Sequence, residues 1–297
     1  MSRVAVLGAT GMLGAAVYTH LYRLGRNDVF GTWHSTRPIF SDKNHRFVQF
    51  EVKSGYRSLL QLLSGVQVVV NCTAVLNSGF ERMDSHQVRE GFMVNSIFPK
   101  TLAEVAENLG IRVLSISSDA VFNTNYATER IESERPTPKT LYGWSKLLGE
   151  IESPNVINLR TSMIGWDPHN HKGLLEWFLA LPQGTTIQGY TDSLWQGVTT
   201  PQLASLVADL VNEENYSAAR KESGVFHYCP NPAITKYDLL CLFAKVFEKR
   251  VQITPSPRPG GQSDQTMRTR FSILNRISSQ EKSLEASLLD LKVNCSE

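Results

Sequence analysis

The stretch "RVAVLGATGMLGAAVYTHLYRLG" constrains the fold more than any other part of this 297-residue chain. A short apolar run with the character of a buried strand, residues 3–8, turns through three glycines into an amphipathic helix, residues 12–25. Gly8, Gly11 and Gly14 each have a physical task in such a turn. They allow a tight bend, close backbone approach to a pyrophosphate, and close packing of helix on strand. The helix start then offers unbonded N–H groups and partial positive charge to phosphates, with Thr10, Met12 and Leu13 alongside. Glycine-rich turns also serve as plain connectors. The strand before this one and the helix after it select the dinucleotide-binding reading.

The alternation continues. Strands are predicted at 28–34, 46–52, 67–75 (including an exit loop), 111–117 and 155–160. Helices are predicted at 56–65, from about Asn95 to Leu109, and around 141–150. Continuous apolar strands separated by helices imply a parallel sheet covered on both faces. After about Trp166 the rhythm changes, with helices expected at 172–180, 201–214 and 235–250 and short strands at 225–228 and 251–255. A Pro/Gly/Ser-rich surface loop is expected at 254–266. The predicted fold class is α/β. Residues 1–165 form a Rossmann-type doubly wound parallel sheet and residues 166–297 a smaller C-terminal α/β substrate domain, segments of which can return to the sheet.

Composition narrows the function classes. A net charge of +2 with no Lys/Arg block argues against nucleic acid or a membrane surface as the main partner. No run of 18 apolar residues occurs, so no membrane span is predicted. Cys72, Cys229, Cys241 and Cys295 are widely spaced and form no ligand cluster, which predicts free thiols, a reducing compartment and no metal site. The opening residues carry no apolar segment of signal-peptide length, and a cytoplasmic location is expected.

The second strand ends in "GTWHSTRP", without the acid that usually bonds the adenosine ribose of NAD. His34, Ser35 and Arg37 can instead donate to a 2′-phosphate, which predicts NADPH; a solvated turn is the structural alternative. In "LYGWSKLLGE", Tyr142 and Lys146 share one helical face, about 6 Å apart along the axis. A phenol beside an ammonium group suits carbonyl reduction, because the cation can stabilise the phenolate while the hydroxyl delivers a proton. Ser118, after the fifth strand, can hold the substrate oxygen. A Tyr-x-x-x-Lys pair by itself is common on helix surfaces. Its conjunction with the glycine loop and Ser118 is what points to a site.

The pieces "GATGMLG", "VVVNCTA", "VNSIFPKTLAEVA", "SISSDAVF", "YGWSK" and "NLRTS" resemble, in order, those of the extended short-chain dehydrogenase/reductases, and among them the dTDP-4-dehydrorhamnose reductases. The resemblance implies NADPH-dependent reduction of the 4-keto group of a nucleotide-activated 6-deoxy sugar, in polysaccharide or glycan precursor synthesis. It implies Ser118, Tyr142 and Lys146 as catalytic residues. Glu51, Val52, Asn71, Cys72, Thr73, Ala74 and Asn95 would join the cofactor site. Ser118, Asp119, Ala120, Thr161, Ser162, Trp195 and Gln196 would form the substrate site, with Arg160 near its mouth. Arg268 and Arg270 could bind a nucleotide diphosphate. A homodimer is a possible assembly. Ala120 and Met163 depart from the aromatic residues usual at those places, which leaves the sugar and the nucleotide open.

Three rivals share the fold. A dehydratase needs a second carboxylate after Asp119, where Ala120 stands. An epimerase holds NAD tightly, and the missing acid after the second strand argues against it. A non-catalytic NADP-binding regulatory subunit could retain Tyr and Lys, although the intact Ser/Tyr/Lys set favours an enzyme.

Overall fold

The computed structural model describes residues 2–38, 44–76, 80, 84–123, 130–169, 171–278 and 283–294; Cys295 lies outside them. Seven parallel strands form the central sheet: β1 (Arg3–Leu7), β2 (Asp28–Trp33), β3 (Phe47–Gln49), β4 (Val68–Asn71), β5 (Arg112–Ile116), β6 (Val156–Arg160) and, from much later in the chain, β11 (Val225–His227). Their order is β11-β6-β5-β4-β1-β2-β3, so the winding reverses between β1 and β4 and opens a crevice beyond their carboxyl ends.

The alternation of β1 explains why both faces are covered. Val4 and Val6 pack with helices α1 (Met12–Leu24), α7 (Thr200–Val211), α8 (Glu213–Glu222) and α10 (Ile273–Ile277). Ala5 and Leu7 point the other way, into a core with α2 (Gly55–Leu62) and α4 (Phe98–Leu109). Side chains on successive strand residues face opposite sides, so one apolar strand serves two cores. Burying each large apolar side chain fully is worth about 1.5–3 kcal/mol.

The helix expected from Asn95 begins ten residues earlier. Helix α3 (Ser85–Phe92) starts from a capping box of Asp84 and Gln87 and runs through a π-helical segment, Met93–Ile97, into α4. The capping signal is in the sequence, but the polar first turn hid it from the hydrophobic period. The strand expected over 67–75 ends at Asn71. The remaining helix of this half, α5 (Leu141–Leu148), carries Tyr142 and Lys146.

The second half is built from β7 (Met163–Ile164), α6 (Leu174–Ala180), β8 (Thr186–Tyr190), β9 (Ser193–Trp195), β10 (Val198–Thr199), β12 (Ile234–Thr235), α9 (Lys236–Val246), β13 (Gln252–Ser256), β14 (Ser263–Gln265) and α11 (Leu284–Asn294). The stretch expected to be a loop at 254–266 thus holds the end of β13 and all of β14. Its Pro and Gly residues are accommodated because, among the described residues, β13 pairs only with β8 and β14 only with β9. Phe178, Leu239, Phe243 and Leu288 lie in a separate core under these small sheets. Helices α7 and α8 and strand β11 belong spatially to the central sheet, so the two units interleave along the chain. No described helix is long and apolar enough to cross a membrane.

Candidate active site

The first half of the site is a backbone cradle. Gly8 has φ +75°, a region other residues avoid, and a Cβ there would also press on Thr73 and Cys72 of the β4 exit. At Gly14 a Cβ would overlap the Gly8 carbonyl oxygen, so the helix could not lie this close to the turn with any other residue. The turn is tied to β2: Gly8 N–H donates to Thr32 Oγ1 at 3.0 Å and Ala9 N–H to the Thr32 carbonyl at 2.9 Å. Gly11 caps α1 with no side-chain bond to its first turn, leaving those N–H groups directed at the crevice. This cradle, which a Cβ would fill, fits the diphosphate of a dinucleotide. Leu13 is buried in the core, and Met12 packs towards Gly165 and Gly173.

At the far end of β2, His34, Ser35 and Arg37 are exposed. His34 Nε2 lies 3.9 Å from Glu51 Oε1, so an acid from the β3 exit does stand at this mouth although none follows β2. Val52 packs against the core of α2 and α4. Asn71 Oδ1 accepts the Thr73 hydroxyl at 2.6 Å and thereby shapes the β4 exit, with Ala74 exposed beyond it.

The second half gathers at the carboxyl end of β5. Lys146 is buried, and its Nζ donates to the Ile116 carbonyl at 2.7 Å. Burial lowers its pKa to about 8 against the opposing influence of Glu150 and Cys72. Tyr142 is hydrogen-bonded to Ser118, and the buried Phe80 meets its ring edge-on at 6.1 Å between centroids. Burial, with Asp119 adding to it, pushes the Tyr142 phenol up to about 12 while its hydrogen bond to Ser118 opposes the rise, and the Lys146 ammonium is engaged with the Ile116 carbonyl. Ser118 Oγ accepts the Ala120 N–H at 3.1 Å and donates to Asp119 Oδ1 at 3.0 Å. Gly143 lets α5 close on this turn, since a Cβ there would overlap the Ala120 carbonyl.

Asn95 does not present its amide to the crevice. Its Oδ1 accepts Val75 N–H at 2.8 Å and its Nδ2 donates to Val75 O at 2.9 Å and Ser145 Oγ at 3.0 Å, clamping the β4 exit to α5. The π-helical segment sets this reach, and Asn95's own carbonyl leaves no room for a Cβ at Gly149. Arg160 is likewise internal: Glu150 accepts from its Nε and Nη2 at 2.8 and 2.7 Å, and Nη1 donates to His227 Nε2 at 3.2 Å.

Beyond Ala120 opens a cavity of about 730 Å³. Cationic Lys139, Lys236 and Arg258 line it, facing apolar Leu174, Trp177 and Ile187. Trp195 and Gln196, expected here, are structural instead. Trp195 is 3% exposed with its indole N–H on Ser162 Oγ at 2.8 Å, while Gln196 Nε2 donates to the Asn231 carbonyl at 2.8 Å and its Oε1 accepts Met267 N–H at 3.1 Å. Thr161 is buried, bonding the Tyr228 carbonyl at 2.8 Å. Arg268 and Arg270 are exposed and do not line the cavity; Arg270 stacks on Phe271. The sequence reading missed Lys236 and Arg258. One signal was present: a lysine opening a helix, where the dipole disfavours a cation. Cys72, Cys229 and Cys241 are free and half-buried, and the described residues hold no cluster of three or more potential metal-ligating side chains.

A parallel sheet in this strand order, with a glycine cradle at its reversal, defines a Rossmann-type doubly wound α/β fold. Residues 2–286 match the family model of the RmlD substrate binding domain, and the chain belongs to that family. It is 30% identical over 244 residues to a probable low-salt glycan biosynthesis reductase of Haloferax volcanii, covering 78% of this chain and 76% of that protein. It is 27% identical over 279 residues to the methionine adenosyltransferase 2 subunit beta of Rattus norvegicus, covering 88% and 78%. Its fold matches the dTDP-4-dehydrorhamnose reductase of Bacillus anthracis in complex with NADP, with a TM-score of 0.73, 16% identity and coverage of 99% and 98%.

Proposed function

We propose that the protein is an NADPH-dependent reductase of the 4-keto group of a nucleotide-activated 6-deoxy sugar, serving glycan precursor synthesis in the cytoplasm. One observation carries this reading. Tyr142, Ser118 and Lys146 meet at the end of β5, and Cys72, beside Gly8, links that cluster to the glycine cradle. Gly8, Gly11 and the start of α1 would hold the diphosphate of the reduced cofactor, which when bound would supply the hydride. Tyr142 gives the proton to the developing alkoxide, which is more basic than a phenolate, so a phenol pushed up to about 12 still donates and stays protonated at neutral pH. Ser118 orients the phenol and the carbonyl. Lys146 fixes Tyr142's helix against β5 through the Ile116 carbonyl and presents its charge below the site. Lys139, Lys236 and Arg258 supply positive charge for the substrate diphosphate. His34, Ser35 and Arg37 favour NADPH.

The likeness to a methionine adenosyltransferase subunit supports a second reading, a cofactor-binding regulatory subunit. Spectrophotometric NADPH oxidation with a panel of 4-keto-6-deoxy nucleotide sugars separates the two. Stoichiometric turnover, faster with NADPH than NADH, is the expected result. Tight NADPH binding with no turnover of any such sugar overturns the enzyme reading.

A further inference from the structure

Arg130 is 3% exposed, and its guanidinium joins two stretches that lie far apart in the chain. Nη2 donates to the Asn123 carbonyl at 3.0 Å, just past the turn that carries Ser118. Nη1 donates to Asp264 Oδ1 at 3.2 Å and to the Thr266 carbonyl at 2.9 Å, on and just after β14. Side chains alternate along a strand, so while Asp264 turns to Arg130, its neighbours Ser263 and Gln265 line the cavity. Ala120, Phe122 and Asn123 line it from the exit of β5. Gln265 Nε2 also donates to Asp119 Oδ2 at 3.4 Å, and Val121, Phe122 and Met267 share a small core of their own. The two stretches make one wall of the cavity, and Arg130 stands behind it.

The backbone around Arg130 is fixed as well. Its carbonyl accepts the Arg268 N–H at 3.0 Å and His227 Nδ1–H at 3.1 Å; the proton is on Nδ1 because Nε2 accepts from Arg160. Glu132 Oε1 accepts the His227 N–H at 2.9 Å, and its Oε2 accepts the Arg270 N–H at 3.0 Å. Residues 130–132 are thus a spine between β11 and the segment that follows β14. A buried guanidinium is costly unless it is paired and hydrogen-bonded, and Asp264 supplies the opposite charge. The planar fork spans three acceptors that a lysine ammonium, a single point on a flexible stem, cannot hold together. We infer that Arg130 is a positioning residue for the sugar nucleotide. It sets the separation of the β5 exit from β14, and so the shape of the wall nearest Ser118. Arg130 does not itself line the cavity, so it acts through Asn123 and Gln265. The kinetic consequence rests on the reductase reading; the clamp does not.

The test has two arms. In the first, hydrogen exchange of the free protein is followed by mass spectrometry. Arg130→Lys should speed exchange by about tenfold in residues 119–123 and 263–268, with residues 3–16 of the glycine cradle unchanged. Wild-type exchange in either stretch, or uniform acceleration along the whole chain, overturns the clamp whatever reaction the protein catalyses. In the second arm, Arg130→Lys should raise KM for the 4-keto nucleotide sugar about tenfold, with kcat and the NADPH dissociation constant within about twofold of wild type. An unmoved KM, or a loss of NADPH affinity to match, would reduce Arg130 to a general stabiliser and overturn the positioning role. Asp264→Asn, at a side chain 31% exposed, removes the counter-charge without emptying a buried site. It should move both readouts the same way, KM by about threefold, and it carries both arms if Arg130→Lys does not fold. If the wild type turns over no 4-keto nucleotide sugar, the functional reading fails, and hydrogen exchange still decides the clamp.

Discussion

The glycine cradle and the cavity beyond Ala120 are built by opposite means. The cradle is backbone: Gly8 in the left-handed region, Gly14 without room for a Cβ, and the start of α1, all within seven residues of one another. The cavity is side chains, drawn from the exit of β5, the approach to α5, α6, β8 and β9, the start of α9 and the loop after β13. A backbone site tolerates nothing at its critical positions, because no rotamer can move a Cβ. A side-chain site can lose one charge and keep its shape. The first suits a constant ligand and the second a ligand that differs among relatives of this fold.

Substitutions can break or sharpen this contrast. Tyr142 lies at the seam, so Tyr142→Phe should leave binding of both ligands intact and lower kcat by about a thousandfold, read by single-turnover kinetics. Retained turnover would remove the proton-donor role. Gly14→Ala should cost about 3 kcal/mol in urea unfolding and abolish NADPH binding in a thermal-shift titration, because its Cβ overlaps the Gly8 carbonyl. Arg258→Gln should weaken nucleotide diphosphate sugar binding about tenfold in calorimetry while the melting temperature stays put. Gly25→Ala is the control for the cradle. Gly25 also has positive φ (63°), but a Cβ there meets nothing within 4 Å, so the cost should be only about 1 kcal/mol with NADPH affinity unchanged. Equal losses in the two glycine variants would show that close packing is not what makes the cradle.

Site residues divided along the same line. The placement of Gly8, Gly14, Ser118, Tyr142 and Lys146 was legible because local geometry sets it: a turn, a strand end, one helical face. Trp195, Gln196 and Thr161 make internal hydrogen bonds, and Asn95 sits behind the β4 exit, because a polar side chain near a site in sequence can be engaged elsewhere in space. Lys236 and Arg258 were overlooked because nothing near them in the chain reveals which wall they will face.

The sequence by itself determined the seven-strand parallel core in its main strands, the cradle and the Tyr/Lys face, since hydrophobic period, glycine and helical spacing all act over a few residues. Only tertiary structure decided that β11 returns to the sheet edge beside β6, that Lys146 binds the Ile116 carbonyl, and that Lys236 and Arg258 line one cavity with Ala120. Such outcomes depend on burial and on partners far along the chain. A side chain's charge and hydrogen bonds are fixed only once packing has decided what surrounds it.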